Sequence, residues 1–393
     1  MSLPPSAVVL GLARSGRAAA AALERRGTQV RRADRELGND DDVALLDGAG
    51  LLVKSPGVPG EATLVAEARQ RRIPVWSELE LGYRLLDNPL AVVTGTNGKT
   101  TTSELLGVML SAPVAGNVGR ALCELDGEIE AGEWIVVEAS SFQLEDVGTF
   151  RPRVAVLLNL EPDHLDRHGT FDVYAAAKLR VFENQELGDV AVVPRGFGAV
   201  PGGGRRAEFD ADDPLPAEPK IPGAHNRENA AAATVAARAA GATDDEIARA
   251  LREFAGVPHR LEPVRERDGV LFVNDSKATN VAAALRAIAA YDAPLLLILG
   301  GRAKGESFDP LAAAARDRVK RAFLVGEAAS ELADALGDVP HEVDGGLEAA
   351  VRAAAAAAVP GDVVLLSPAC ASYDQFRDFE ERGDEFRRLV RLL

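Results

Sequence analysis

The stretch Val92-Val93-Thr94-Gly95-Thr96-Asn97-Gly98-Lys99-Thr100-Thr101-Thr102 constrains this chain more than any other. An apolar run from Leu90 to Val93 breaks into a turn with glycines, a lysine and a row of hydroxyls. An amphipathic pattern (Leu105, Leu106, Val108, Met109) follows. That order predicts a strand, a phosphate-binding loop and a helix. Glycines let backbone N–H groups converge on an anion, the helix N-terminus adds the positive end of its dipole, and Lys99 adds a full charge. Thr100 is placed to offer a hydroxyl to Mg²⁺. The common spacing GxxxxGK[ST] would put its first glycine at Val93, so only the shorter GTNGKT is met. The candidate nucleotide contacts are Gly95, Thr96, Asn97, Gly98, Lys99, Thr100 and Thr101; a glycine turn without a nucleotide is the competing reading.

At 393 residues the chain is too long for one ordinary core, so two or three domains are expected. A formal net charge of −16 argues against a nucleic-acid or anionic-membrane partner, and an acidic protein that binds phosphates must gather its cations locally. The two cysteines, Cys123 and Cys370, are too few for a disulfide framework and fit a reducing cytoplasm. No apolar run approaches the roughly 18 residues a membrane span needs, and Arg14 arrives too early for a signal peptide. A cytoplasmic protein with no membrane insertion is expected.

Read in order, Ala7 to Leu10 form a strand running into Gly11-Leu12-Ala13-Arg14-Ser15-Gly16 and an alanine-rich helix to about Arg26. A second strand, Gln29 to Ala33, ends at Asp34. This opens a Rossmann-like unit, but Ala13 replaces the middle glycine of GxGxxG and its methyl group hinders close approach of a pyrophosphate. A dinucleotide, and with it a dehydrogenase, is disfavoured; another nucleotide, with Asp34 as a polar contact, suits the loop better. Leu51 to Val53 then leads to Lys54-Ser55-Pro56-Gly57, at a strand's C-terminal end where ligands of open α/β sheets gather, although a plain surface turn explains Ser55 equally well. Asp87-Asn88-Pro89 marks a first boundary near 88.

Beyond the loop helix come Asn117 in GNVG and a strand Trp134 to Val137 ending in Glu138, placed to approach nucleotide-bound Mg²⁺. The strand Val154 to Leu158 ends in a polar cluster from Asn159 to His168, within which His164 is a candidate ligand or substrate contact against a solvated-loop alternative. Tyr174 to Glu183 reads as a helix with Lys178 near its apolar stripe, where a lysine ordinarily snorkels to water. Pro194 to Pro222 reads as hairpins and turns. A long alanine-rich helix then begins near Gly223 with Asn226 and Asn229 on one face, suggesting capping or amide recognition of a base edge. Ala255 to Pro258 makes the second boundary. The last third alternates strands (Val270 to Asn274, Leu295 to Leu299, Arg321 to Val325, Val363 to Leu366) with helices, a further α/β unit with its polar turns on one edge.

Taken together, GTNGKTT, EASSFQLE, DHLDRH followed by AAKLR, HNRENAAAA, PHRLE, NDSKATN and LSPACASYDQF resemble the Mur ligases, the ATP-dependent amide-bond-forming enzymes of peptidoglycan synthesis. NDSKATN and SPACASYDQF point to the branch that adds glutamate to UDP-N-acetylmuramoyl-L-alanine. The resemblance spans essentially the whole chain. It implies an α/β protein of three domains: a Rossmann-like N-terminal domain (1–88) for the UDP substrate, a central P-loop ATPase domain with a mostly parallel sheet (89–257), and a Rossmann-like C-terminal domain (258–393) for glutamate. A cytoplasmic monomer is expected.

The resemblance also implies roles. Lys99 meets the phosphates, Thr100 and Glu138 one Mg²⁺, and His164 with Lys178 a second; the family lysine at position 178 is carbamylated, which turns a cation into an anionic oxygen ligand. Asn226 and Asn229 are expected at adenine, Asp275 at ribose, Arg260 and Lys277 at phosphates. Ser15, Asp34, Ser55, Asn117 and Arg167 resemble the contacts of the UDP substrate, and Thr279, Lys304, Ser372 and Phe379 those of glutamate. The family's GGxDKG appears as Gly300-Gly301-Arg302-Ala303-Lys304-Gly305, and Arg14, Arg35 and Glu36 differ from the common uridine-pocket residues. Folylpolyglutamate synthase shares GTNGKTT but has no use for the first domain. A non-catalytic nucleotide sensor would lack the metal ligands that stand here. The chirality of the glutamate is open.

Overall fold

The computed structural model describes residues 3–221 and 223–393, and every side chain among them except that of Asp166. Pro222, the end of the stretch expected to form turns, lies outside the described residues. The chain divides into two compact units, one ending at Phe254 and the other running Ala255–Leu393.

The first unit holds two parallel sheets. One contains β1 (Ser6–Leu10), β2 (Gln29–Ala33), β3 (Leu52–Lys54) and β4 (Val75–Ser77) in the order β2-β1-β3-β4. The other contains β5 (Leu90–Thr94), β6 (Val114–Gly116), β7 (Ile135–Glu138), β8 (Val154–Leu157), β9 (Val190–Pro194) and β10 (Arg205–Phe209) in the order β10-β9-β8-β5-β7-β6. Continuous burial of β5, β7 and β8 explains their unbroken Val/Ile/Leu runs, since helices cover both faces of a parallel sheet. The region after Pro194 departs from the expected hairpins. Arg205 to Phe209 pairs with Val190 to Pro194 in parallel register, its alternating polar residues marking an edge strand.

Two carboxylates fasten the first sheet's last helix, Glu78–Leu85, to the neighbouring layer. Glu80 Oε2 accepts from the backbone N–H of Gly148 and Phe150 at 2.9 Å each, while Oε1 accepts from Thr149 Oγ1 at 2.8 Å and Arg84 Nε at 2.6 Å. Burial alone would raise the Glu80 pKa, yet these donors lower it. Glu78 Oε1 accepts from Cys123 N at 2.7 Å, and its pKa is raised because burial outweighs its contacts with Cys123. Ala121 and Cys123 complete the apolar cluster formed by Ala7, Val9, Leu23 and Leu81.

The second unit holds one six-stranded sheet: β11 (Glu262–Arg267), β12 (Val270–Asn274), β13 (Leu295–Gly300), β14 (Val319–Val325), β15 (His341–Gly345) and β16 (Val363–Leu366), in the order β11-β12-β16-β13-β14-β15. Only β11 runs antiparallel, by a tight turn at Asp268-Gly269. Separate apolar clusters cover its two faces.

Candidate active site

The phosphate loop follows β5, whose neighbours are β7 and β8, so Glu138 and Asn159 emerge on either side of it. Asn97 N donates to Asn159 Oδ1 at 2.8 Å and Asn97 Nδ2 to Glu161 Oε2 at 2.8 Å. Thr96 Oγ1 lies 2.9 Å from Tyr174 OH. The twelve-residue helix Lys99–Leu110 starts at Gly98, whose φ of 81° suits glycine. A Cβ there would also stand 2.2 Å from Asn229 Oδ1. The Asn229 amide therefore lies against the phosphate loop, three residues from Asn226 on the helix Ala224–Ala239.

Both lysines converge on one carbonyl. Lys99 Nζ donates to Gly95 O and Thr96 O at 2.9 Å each, and Lys178 Nζ donates to the same Gly95 O at 2.8 Å. Lys178 does not snorkel: it is 2 % exposed, with Nζ 4.8 Å from the Tyr174 ring centroid. Burial first, and the charge of Lys99 second, push its pKa from 10.5 down to about 7, with Asp163 and Glu138 opposing. Glu138 is also buried. Its Oε1 accepts from Asn117 Nδ2 at 2.7 Å, and its Oε2 has no hydrogen-bond partner among the described residues.

That orphaned oxygen is the test of the expected Mg²⁺. No group of three or more His, Cys, Asp or Glu among the described residues is arranged as a metal cage. A single buried carboxylate oxygen at the end of β7 and the hydroxyl of the buried Thr100 at the start of the loop helix suit a Mg²⁺ whose other ligands are phosphate oxygens and water, and the residues fit one such ion. His164 stands apart from that pair. Its ring is half-exposed, 5.0 Å from Phe142 and 6.4 Å from Tyr174, with Nε2 3.5 Å from Asp163. The buried histidine of this cluster is His168, bonded to Ser141 Oγ at 3.0 Å, and burial lowers its pKa.

A cavity of about 400 Å³ in the same unit is lined by Ser15, Asp34, Ser55 and Asn117, with Arg14 and Val58. Arg167, which binds Val58 O at 2.9 Å, stands at its edge. Asp34 accepts from Leu12 N at 2.5 Å and from Glu36 N at 2.9 Å, and these bonds, Glu36 first, lower its pKa. Ser55 Oγ donates to Gly11 O at 2.6 Å, so it ties the glycine loop to β3 as well as facing the cavity. Gly16 is required by contact: a Cβ would meet Gly11 O at 1.7 Å.

In the second unit the polar turns gather at one edge of the sheet. Lys304 Nζ donates to Thr279 Oγ1 at 3.2 Å, and Lys277 Nζ is 5.6 Å from the Phe379 ring. Ser372 is buried. Asp275 accepts from Ser367 Oγ at 2.8 Å and Leu261 N at 3.1 Å, and burial raises its pKa to about 6 despite both bonds. Arg260 opens the same unit, its N–H bonded to Val257 O. Ala303, in place of the family's aspartate, packs on the apolar cluster of that sheet. Sequence reasoning missed Arg382, which is buried and donates to Ser276 Oγ at 2.9 Å, Ser276 O at 2.8 Å and Cys370 O at 3.2 Å. It also missed Lys54, whose buried ammonium lies 3.0 Å from Asp146 and 3.8 Å from Glu145.

A phosphate-loop turn on whose carbonyl two lysines converge, one of them buried, and a second α/β unit whose polar turns gather at one edge of its sheet, define a ligase-type architecture. The Mur ligase middle domain matches residues 93–196, and the Mur ligase, glutamate ligase domain matches 259–370. The chain belongs to the Mur ligase family. It is 40% identical to the UDP-N-acetylmuramoylalanine--D-glutamate ligase of Salinibacter ruber over 98% of each chain, and 43% identical to that of Anaeromyxobacter dehalogenans over 97% of this chain and 96% of the relative. Among solved structures, the MurF ligase of Thermotoga maritima in complex with ADP aligns with a TM-score of 0.62 at 17% identity, covering 100% of this chain and 96% of that one. The UDP-N-acetylmuramate-alanine ligase MurC of the same organism gives 0.59 at 18%, covering 98% and 99%. At those identities the two structures speak for the fold alone.

Proposed function

We propose that this chain joins D-glutamate to UDP-N-acetylmuramoyl-L-alanine with ATP, as a cytoplasmic, monomeric enzyme of peptidoglycan precursor synthesis. The observation that carries the reading is the convergence of Lys99 and Lys178 on Gly95 O beside Glu138, in a chain 40% identical over nearly full length to ligases of that name. The substrate carboxylate attacks the γ-phosphorus, the bond to ADP breaks, and an acyl phosphate forms. The glutamate amine then attacks the acyl carbon, loses a proton, and phosphate leaves. Bringing a carboxylate against a polyanion makes local cation density decisive, and Lys99 supplies it at the loop. Thr100 with Glu138, and His164 with Lys178, would hold two Mg²⁺, which when bound neutralise phosphate charge.

A lysine with pKa about 7 is substantially neutral at neutral pH, so its amine can add to CO₂ with release of a proton. We take Lys178 as the carbamylated residue on that ground. Residues 1–88 would serve the UDP substrate through Ser15, Asp34, Ser55, Asn117 and Arg167. Residues 89–257 would serve ATP through the loop and through Asn226 and Asn229. Residues 258–393 would add Arg260, Asp275 and Lys277 to ATP, and Thr279, Lys304, Ser372 and Phe379 to glutamate. The test is ADP release with UDP-N-acetylmuramoyl-L-alanine and either D- or L-glutamate. Turnover with the D-isomer is expected; turnover with L-glutamate only, or with neither, refutes the proposal.

A further inference from the structure

The turn that opens the second unit is strained. His259 and Leu261, on either side of Arg260, have φ of 61° and 43°. A residue with a side chain takes that conformation at a cost, and a bulky leucine most of all. The same turn is tied to the other residues of this unit expected at ATP. Leu261 N donates to Asp275 Oδ1 at 3.1 Å, and His259 O accepts from Lys277 N at 3.0 Å. Relaxation of either residue to negative φ would take from Arg260, Asp275 and Lys277 the backbone that sets them relative to one another.

One carboxylate holds the turn. Glu262 Oε2 accepts from His259 N at 2.9 Å and from Asn274 Nδ2 at 3.2 Å. Arg387, on the helix Phe379–Leu392, grips that carboxylate twice, Nη2 to Oε2 at 2.8 Å and Nε to Oε1 at 2.9 Å. One helical turn earlier on the same face, Gly383 makes room for His259, since a Cβ there would stand 2.0 Å from Nδ1. A bidentate pair fixes the plane of a carboxylate as well as its place, which a lysine's point charge does not.

We propose that Arg387 is a positioning residue for ATP: through Glu262 it keeps the His259–Leu261 turn left-handed and so presents Arg260, Asp275 and Lys277. This rests on the ATP reading of those three residues above. The hydrogen bonds of Arg387 go to Glu262 and Asp384, so its effect on the nucleotide is indirect.

Calorimetric titration of the full chain with the non-hydrolysable ATP analogue AMP-PNP and Mg²⁺, beside steady-state kinetics, tests this. Arg387→Met should lower AMP-PNP affinity about tenfold, the scale on which one strained residue relaxes, and raise the KM for ATP in step. The KM for the UDP substrate should move less than about twofold. Arg387→Lys should recover part of the loss, having the charge without the fork. Leu261→Gly is the decisive arm, because glycine takes a positive φ without strain: added to Arg387→Met, it should regain about threefold or more in affinity. A helix that merely docks less well would not be repaired by that glycine. Should Arg387→Met fail to fold, Glu262→Gln, which keeps the shape and removes the charge, carries the same expectations. Unchanged AMP-PNP affinity, or a loss that Leu261→Gly leaves as it is, overturns the role of Arg387. Arg260→Ala and Lys277→Ala check the reading beneath it: if neither weakens AMP-PNP, the assignment of these residues to ATP falls, whatever Arg387 does.

Discussion

Lys178→Met should make the first unit more stable while abolishing turnover. The wild-type ammonium has its pKa lowered from 10.5 to about 7. Each tenfold change in proton affinity is worth about 1.4 kcal/mol, so keeping the protonated form buried costs about 4 kcal/mol at pH 7. Between pH 7 and 10.5 the unfolded chain binds a proton that the native state has released, so wild-type stability climbs with pH through that window. By pH 9 the cost has fallen to about 2 kcal/mol on the same arithmetic. Methionine fills similar space without a charge. It gives up the bond to Gly95 O, worth about 1 kcal/mol, and that oxygen keeps Lys99 as a donor. The expected gain is about 3 kcal/mol at pH 7 and about 1 kcal/mol at pH 9. Both tryptophans, Trp76 and Trp134, precede Phe254, so urea unfolding followed by their fluorescence reports on this unit alone. Buffers should be freed of CO₂, so that a carbamate does not contribute. A difference between variant and wild type that stays constant from pH 6.5 to 9.5 would show that Lys178 titrates normally and would refute the reasoning.

Lys99→Ala should lower phosphate release by about 10²- to 10³-fold, the size of a lost transition-state anion contact, and wild-type turnover would remove the phosphate loop from the chemistry. Lys178→Ala should release no phosphate until bicarbonate or a short carboxylic acid is added; full activity without additives sinks the carbamate. Gly98→Ala forces a Cβ to 2.2 Å from Asn229 Oδ1 at a φ of 81°, so ATP affinity by titration should fall about tenfold or more. Lys54→Met removes the buried partner of Asp146 and Glu145, which keep Arg69 and Arg167, and should cost about 1–3 kcal/mol in the same urea assay.

Most strands were legible where burial is two-sided. Val270–Asn274 and Val363–Leu366 stand where the apolar runs put them, and Gln29–Ala33 is an edge strand that the sequence nonetheless placed. β6, β10, β11 and β15 escaped notice because edge strands bury one face or are short, β4 is only three residues long, and the buried β9 escaped notice as well, next to a stretch rich in glycine and proline. At the site, the glycine loop, Lys99 and Glu138 could be placed by their position after strands. The state of Lys178 could not, because local sequence says only that a lysine lies near an apolar stripe; its burial comes from Tyr174 and Gly95 O, the latter 83 residues away. Arg382 looked like one arginine among several on the helix Phe379–Leu392, and only its acceptors at Ser276 and Cys370 set it apart.

The carboxylates of Glu78 and Glu80 bear on how this chain can be cut and recombined. Each reaches out of the first 88 residues to take its backbone partners from 123 or 148–150. A fragment ending near Asn88 would carry two acids into solvent and leave the apolar cluster around Leu81 without Ala121 and Cys123. The seam visible in the sequence is therefore a poor place for scissors, whereas the break after Phe254 respects the fold. A chimera that imports the first segment from a relative would have to import the loops at 121–125 and 146–150 with it.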